Sequence, residues 1–271
     1  MSSCTPLHAP MRHRSLFLSD LHLGSRACQA DKLLNFLYQH EAHYIYLVGD
    51  IFDVWHPRAV HWTPDHERII DLLRSREQQG VKIVRLPGNH DPVHVEKQNG
   101  FAHTALFTAT QKTVIHEGAD GRRYLVLHGD CCDFWPLSTH LFSRLGSGID
   151  WCWRRRKEPY RAYAPADPFS AKTQRKTLAG HVGALFKYRS LIEQRLTALA
   201  HKQDADGIIC GHLHSPALHI REGVMYANCG DWISNMSAIV EDAAGEFSLI
   251  NGALASRINA APVHSHGSEA A

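Results

Sequence analysis

Seven side chains of metal-ligand type carry the most chemical information in the chain: Asp20, His22, Asp50, Asn89, His128, His212 and His214. Each lies just beyond an apolar run, where burial accounts for the run but not for the polar side chains after it. Together they offer carboxylate, amide oxygen and imidazole and no thiolate. That donor set suits Mn, Fe or Zn, and it is neither a soft cysteine site nor an all-oxygen Ca2+ site. Seven donors exceed the need of one tetrahedral ion, and the natural arrangement is two divalent ions about 3.5–4 Å apart sharing one carboxylate. Asp50 follows the most apolar run and is the expected bridge. Such a pair binds a phosphoryl group across both ions and lowers the pKa of a bridging water, so that hydroxide attacks phosphorus in line. The chemistry indicated is hydrolysis of a phosphoester or pyrophosphate.

His90 and Asp91, in the segment Gly88-Asn89-His90-Asp91, complete the set. His90 is expected to stabilise phosphoryl oxygens or protonate the leaving oxygen, with Asp91 holding its ring. Taken singly these residues say little. The chain carries 21 histidines, and Asn, Gly, Asp and Pro are the ordinary residues of turns. Their weight comes from repetition, because five segments in succession run from strand to ligand.

The elements that would position them follow from pattern. Ser15–Leu18 reads as a strand, and Asp20 and His22, two apart at its end, share a face. Residues 31–40 form an amphipathic helix through Leu33, Leu34 and Leu37, and Tyr44–Val48 reads as a strand buried on both faces. Thr63-Pro64 opens a second helix whose buried face is Ile69, Ile70, Leu72 and Leu73, closed at Gly80. Val81–Leu86 is the third strand, stopped by Pro87-Gly88, and Asp120-Gly121 predicts a hairpin ahead of Arg123–Leu127. Gly207–Cys210 leads to His212 and His214, and four short strands (217–220, 224–227, 238–241 and 247–250) are expected to close a second, antiparallel sheet. Ligands at the C-terminal ends of strands are the mark of layered α/β proteins.

The domain so defined spans 15–250, with residues 1–14 and 251–271 read as disordered tails. Within it, residues 131–202 change character and read as a helical cap insertion. There Trp151 and Trp153 adjoin Arg154, Arg155, Arg156 and Lys157, the expected substrate contacts; an ordinary helical excursion with a solvated basic face fits the same pattern. A formal net charge of +2 argues against nucleic acid as a partner. Seven cysteines without a paired framework point to a reducing compartment. Met1–Arg14 has no signal-peptide core, and no run approaches the roughly 20 apolar residues needed to span a bilayer. The expected location is cytoplasmic, at most peripheral on the inner face of the membrane.

Asp20-x-His22, Gly49-Asp50-x-x-Asp53, Gly88-Asn89-His90-Asp91, His128-Gly129-Asp130 and Gly211-His212-x-His214 resemble the five motifs of the calcineurin-like metallophosphoesterases. The resemblance implies a four-layer α/β/β/α sandwich with metals at the strand ends. It places Asp20, His22, Asp50 and His214 on one metal and Asp50, Asn89, His128 and His212 on the other, with His90 catalytic. The segments Gly49–Trp55 and Asn228–Ile233, with the cap between them, resemble a narrower group similar to the UDP-2,3-diacylglucosamine hydrolases of lipid A biosynthesis. That likeness implies a manganese-dependent pyrophosphatase releasing UMP and 2,3-diacylglucosamine 1-phosphate. Cap aromatics would shelter acyl chains, while Lys and Arg meet phosphates and an anionic membrane surface. Established members resemble Gly-Asn-Arg-Asp at the central motif, where this chain has His90. A phosphodiesterase or phosphatase acting on another nucleotide or phospholipid headgroup stands as the enzymatic alternative. A metal-bound scaffold docking on a membrane or a partner is the non-enzymatic one.

Overall fold

A computed structural model describes residues 9–53, 60–91, 111–133 and 187–251. The expected substrate contacts Trp151, Trp153, Arg154, Arg155, Arg156 and Lys157 lie outside the described residues. The chain divides into two units, Met1–Cys131 with Leu196–Ala271, and Cys132–Arg195. Both sheets and all seven ligand-type residues belong to the first.

Strands β1 (Met11–Leu18), β2 (His40–Val48) and β3 (Lys82–Leu86) pair in parallel, joined through helices α1 (Ala30–Gln39) and α2 (Pro64–Gln78). α2 starts as its sequence requires, with Thr63 as N-cap and its backbone N–H donating to His66 Nδ1 at 3.1 Å. Alternation along β1 divides the core. Leu16 and Leu18 join Leu33, Leu37, Ile69, Ile70 and Leu73 beneath the helices. Phe17 faces the other way and packs with Tyr46, Val48 and Leu86 against the second sheet. That sheet contains β4 (Thr113–Glu117), β5 (Arg123–Leu127), β6 (Gly207–Cys210), β7 (Ala217–Arg221) and β8 (Val224–Asn228), in the order β4-β5-β6-β8-β7. Val126, Ile209 and Ala227 are its contribution to the inter-sheet core. Each such fully buried aliphatic or aromatic side chain stabilises by about 1.5–3 kcal/mol. Two mixed sheets with helices against the first make an α/β fold.

Two sequence expectations need correction. β1 begins at Met11, inside the expected tail, because Met11, Arg12 and His13 pair with His40, Glu41 and Ala42 of β2. The polar side chains of Arg12, His13 and Arg14 hide the strand from a reading based on apolar runs. The last two strands, β9 (Ser237–Glu241) and β10 (Phe247–Asn251), do not close the second sheet. They return to the first, where β9 pairs antiparallel with β1 through Leu16 and Val240, giving the order β10-β9-β1-β2-β3. Every residue of β9 is buried, which suits an interior position better than an edge. A helix runs through residues 187–202, and among the described residues no helix is long and apolar enough to cross a membrane.

Candidate metal centre

Five strands, β1, β2, β3, β5 and β6, deliver the seven residues just beyond their C-terminal ends. There the backbone abandons the extended conformation abruptly. Asp20, His22, Asp50, His212 and His214 all have positive φ, from 48° to 66°, five of the eight non-glycine residues that do so among the described residues. A left-handed residue with a Cβ costs about 1–2 kcal/mol, so five at one locus mark a site whose surroundings enforce the geometry. The enforcing bonds continue the β1–β2 ladder past the strand ends: Asp20 N to Gly49 O (3.1 Å), His22 N to Asp50 O (3.0 Å) and Leu23 N to Ile51 O (2.8 Å). Two glycines permit the crowding. A Cβ on Gly49, itself at φ +76°, would lie 2.5 Å from the His128 ring, and one on Gly211 would collide with Ser19 Oγ.

The donor atoms fall into linked groups. Asp20, His22 and His214 form one, with Asp20 Oδ1 3.1 Å from His214 Nε2 and 3.9 Å from His22 Nε2. Asp50 Oδ2 lies 3.3 Å from His128 Nε2, and Asp20 is within 4.8 Å of this pair. Asn89 Oδ1 approaches His128 Nε2 (3.2 Å) and His212 Nδ1 (3.1 Å). His128 Nδ1 donates to the Val48 carbonyl at 3.0 Å, which fixes the ring and turns Nε2 toward the other donors. Asp20 is fixed likewise, its Oδ2 accepting from Ser19 Oγ (2.5 Å) and His212 N (3.0 Å). His22 Nε2 is buried and makes no hydrogen bond among the described residues. Buried polar atoms left in that condition are costly unless a ligand satisfies them. Neighbouring donors on one ion, at about 2.1 Å from it, are about 3 Å apart. The donor set, its spacing and the unsatisfied His22 nitrogen fit divalent metal.

Asp91 has a different place from the one expected. Its Oδ1 accepts from the backbone N–H of Asp50 (3.0 Å) and Gly88 (2.8 Å), and its Oδ2 from those of Ile51 (2.9 Å) and Phe52 (3.3 Å). The buried Arg85 guanidinium donates to Oδ2 at 2.8 Å. None of these bonds reaches the His90 ring. Asp91 instead ties the turn after β2 to the turn after β3, a role its five partners explain. The carboxylate facing His90 is Asp53, with Oδ1 3.6 Å from Nδ1. His90 N donates to Asp50 Oδ1 at 2.7 Å, setting the imidazole beside the donors, and its ring meets that of His22 edge-on at 4.8 Å.

The calcineurin-like phosphoesterase family model matches residues 13–216, three quarters of the chain and all five of its motifs. The chain belongs to that family. It is 25% identical to the UDP-2,3-diacylglucosamine hydrolase of Haemophilus influenzae (strain PittGG), over 89% of this chain and 99% of the relative. It is 29% identical to the protein of the same name from Cellvibrio japonicus (strain Ueda107), over 76% and 83%. Among solved structures it is similar to YfcE, a phosphoesterase from E. coli, at 17% identity and a TM-score of 0.47, over 90% of this chain and 96% of that one.

In this phosphoesterase the electrostatics of the donors follow from their neighbours. Burial raises the Asp20 carboxyl, but His214 and His128 outweigh it and bring the pKa down to about 2. Burial lowers the His214 imidazole, and Asp20 and Asp231 outweigh that, raising it to about 10. His22 goes the other way: burial, then the neighbouring His90, hold its pKa below the usual value, which keeps the ring neutral and ligand-ready. His90 is raised, since Asp53, Asp50 and Asp20 overcome the cost of its burial. Two functional contacts lie outside the sequence-derived set. Asp53 was visible only as the last residue of its motif. Asp231 has Oδ2 3.3 Å from His214 Nδ1, while its Oδ1 accepts from the backbone of Ile233, Ser234 and Asn235. Asn235 Nδ2 donates to the His214 carbonyl at 2.9 Å, so this turn holds His214 by both ring and backbone. The signal for Asp231 was its place in Asn228-Cys229-Gly230-Asp231-Trp232, a polar stretch between two buried strands.

Proposed function

We propose that this phosphoesterase is a dinuclear-metal hydrolase that cleaves the pyrophosphate of UDP-2,3-diacylglucosamine, giving UMP and 2,3-diacylglucosamine 1-phosphate. The observation that carries the metal chemistry is the meeting of donors around Asp50 and Asp20: one group holds His22 and His214, and the other holds His128, Asn89 and His212. Asp20, His22, Asp50 and His214 would hold one ion, and Asp50, Asn89, His128 and His212 the other. Manganese is the preferred metal. When bound, such ions supply Lewis-acid activation of water and neutralise charge developing on the phosphoryl oxygens. The chain's own residues orient the reaction. His90, backed by Asp53, is placed to donate a proton to the leaving oxygen or a hydrogen bond to a phosphoryl oxygen. Asp91 fixes the turns that carry Asp50 and His90. Support for the lipid substrate comes from the names of the relatives, one of which matches over nearly its whole length. A phosphoesterase fold alone does not choose a substrate. Action on a lipid-linked nucleotide would bring the protein to the cytoplasmic membrane surface as a peripheral protein.

The test is product analysis with manganese-loaded protein on UDP-2,3-diacylglucosamine in detergent, beside bis-p-nitrophenyl phosphate. UMP together with turnover of the diester is the expected result. Diester turnover without UMP would remove the lipid substrate and leave a phosphodiesterase. No turnover of either, with two manganese ions bound, would remove the enzymatic reading.

A further inference from the structure

We propose that the chain has a second anion site, at the end of the first sheet remote from the metal ligands, that takes a phosphate-bearing ligand. The N-terminal halves of β1 and β2 and the start of β3 line a cavity of about 540 Å3, bordered by Arg12, Arg14, His43, Tyr44 and Lys82. Among the described residues no acidic side chain lines it. Register brings these residues together, since Tyr44 pairs with Ser15 on one side and with Lys82 on the other. Arg14 and Asp20 are six residues apart along β1 and its extension. At 3.3 Å per residue that is roughly 20 Å, so the cavity is separate from the donors at the strand ends.

The cations are arranged rather than scattered. The Arg14 guanidinium lies 5.4 Å and the Lys82 ammonium 5.3 Å from the centre of the Tyr44 ring. Arg14 is anchored through one nitrogen only. Its Nη1 donates to both Glu241 carboxylate oxygens at 3.0 Å and to the Glu117 carbonyl at 2.9 Å. Its other guanidinium nitrogens make no bond among the described residues, which leaves part of a rigid donor fork oriented and open. Lys82 is exposed and makes no ion pair among the described residues. Arg12 sits at the rim, paired loosely with the half-buried Glu41 at 3.7 Å. Three effects oppose an anion here: Glu241 pairs with Arg14, Glu41 pairs loosely with Arg12, and Gly80, at the C-terminal end of α2, also lines the cavity. The last carbonyls of that helix are already bonded to Gln79, Gly80 and Val81 N–H groups. A helix end contributes about half a charge, against the full charge of Lys82 and the guanidinium donors that Arg12 and Arg14 keep beyond their ion pairs. A guanidinium fork and an ammonium, both beside the Tyr44 ring, suit a phosphate or phosphonate group. The volume exceeds a bare phosphate and leaves room for an organic moiety alongside Tyr44. A free phosphorylated metabolite and the headgroup of an anionic lipid carry the same chemistry.

The test uses the full, manganese-loaded chain and phenylphosphonate, which cannot be hydrolysed at an ester bond. Calorimetric titration should resolve two classes of site. Lys82→Glu should weaken one at least tenfold while leaving bis-p-nitrophenyl phosphate turnover unchanged, and Asp50→Ala should abolish the other and spare the first. A single class of site in the wild type, or two classes both unaffected by Lys82→Glu, would overturn the proposal. Vesicles of phosphatidylglycerol and of neutral phosphatidylcholine distinguish the sources. Phosphatidylglycerol binding that competes with phenylphosphonate and is lost in Lys82→Glu identifies a headgroup; phenylphosphonate binding without it identifies a soluble ligand.

Discussion

Asp53 and Asp91 stand on either side of the catalytic question, and their partners assign them opposite consequences. Asp53 faces the His90 ring across 3.6 Å, whereas Asp91 is consumed by four backbone N–H groups and the Arg85 guanidinium. His90→Ala and Asp53→Asn should therefore retain both metals and lose turnover, by about 10- to 100-fold for Asp53→Asn. The loss should be largest for substrates with poor leaving groups, as comparison of p-nitrophenyl and alkyl esters would show. Metal stoichiometry falling to one in His90→Ala would mean that the imidazole is itself a ligand. Asp91→Ala should show in stability instead. Removing one partner of a buried ion pair costs about 3–5 kcal/mol, and this carboxylate also satisfies backbone donors, so urea denaturation should register at least that much. An Asp91→Ala protein with wild-type stability and reduced turnover would return Asp91 to the His90 ring.

At the level of elements, the turn following β8 acts on the proposed metal site through a histidine it does not contain. Asp231 spends one oxygen on three successive backbone N–H groups, which fixes the other oxygen beside His214 Nδ1. Carboxylates that hold a ligating imidazole in this way typically change metal affinity by about 10- to 100-fold when removed. Asp231→Ala should weaken manganese binding by that factor in a direct titration, with the second ion affected less. Equal affinity for both ions in the variant and the wild type would reduce Asp231 to a turn-former. This turn also shows what the sequence could and could not reveal. The candidate donors Asp20, His22, Asp50, Asn89, His128, His212 and His214, which the structure brings together, were legible as a group because each follows an apolar run in its own segment, a local signal. Asp231 and Asp53 act on residues in other segments, and a carboxylate's choice between a ring and a backbone is set by tertiary geometry. The same limit explains β9. Its alternative partners, β8 and the buried half of β1, both offer apolar pairing, and nothing local to Ser237–Glu241 chooses between two sheets. It explains Met11–Arg14 as well, where the partner strand supplies the pairing that the side chains do not advertise.

Across the whole molecule, one buried carboxylate connects the two sheets at the end away from the metal ligands, and its charge makes that connection sensitive to acid. Glu241, fully buried at the end of β9, accepts from Arg14 Nη1 (3.0 Å) and Ser15 Oγ (2.5 Å) in its own sheet. From the second sheet it engages His116 of β4 at 2.8 Å and the Ala119 backbone N–H at 2.7 Å, and the other His116 nitrogen meets Tyr46 of β2 at 2.9 Å. Burial raises the Glu241 carboxyl, but the bonds from His116, Ser15 and Ala119 outweigh it and leave the pKa below its ordinary value. A depressed carboxylate stabilises the fold fully above its unfolded pKa of about 4.3, and that stabilisation disappears as pH falls toward the folded value. Glu241→Gln removes the charge at every pH and leaves the Arg14 and His116 donors facing an amide. It should cost about 3 kcal/mol in urea denaturation at pH 7. The difference from the wild type should stay constant down to about pH 4.3 and shrink below it, because both proteins then carry a neutral group. Comparing the two proteins at each pH cancels the titration of the metal ligands, which is common to both. A difference under about 1 kcal/mol at pH 7, or one that persists unchanged to pH 3, would mean that hydrophobic packing of Phe17, Tyr46 and Val126 joins the sheets without help from this charge.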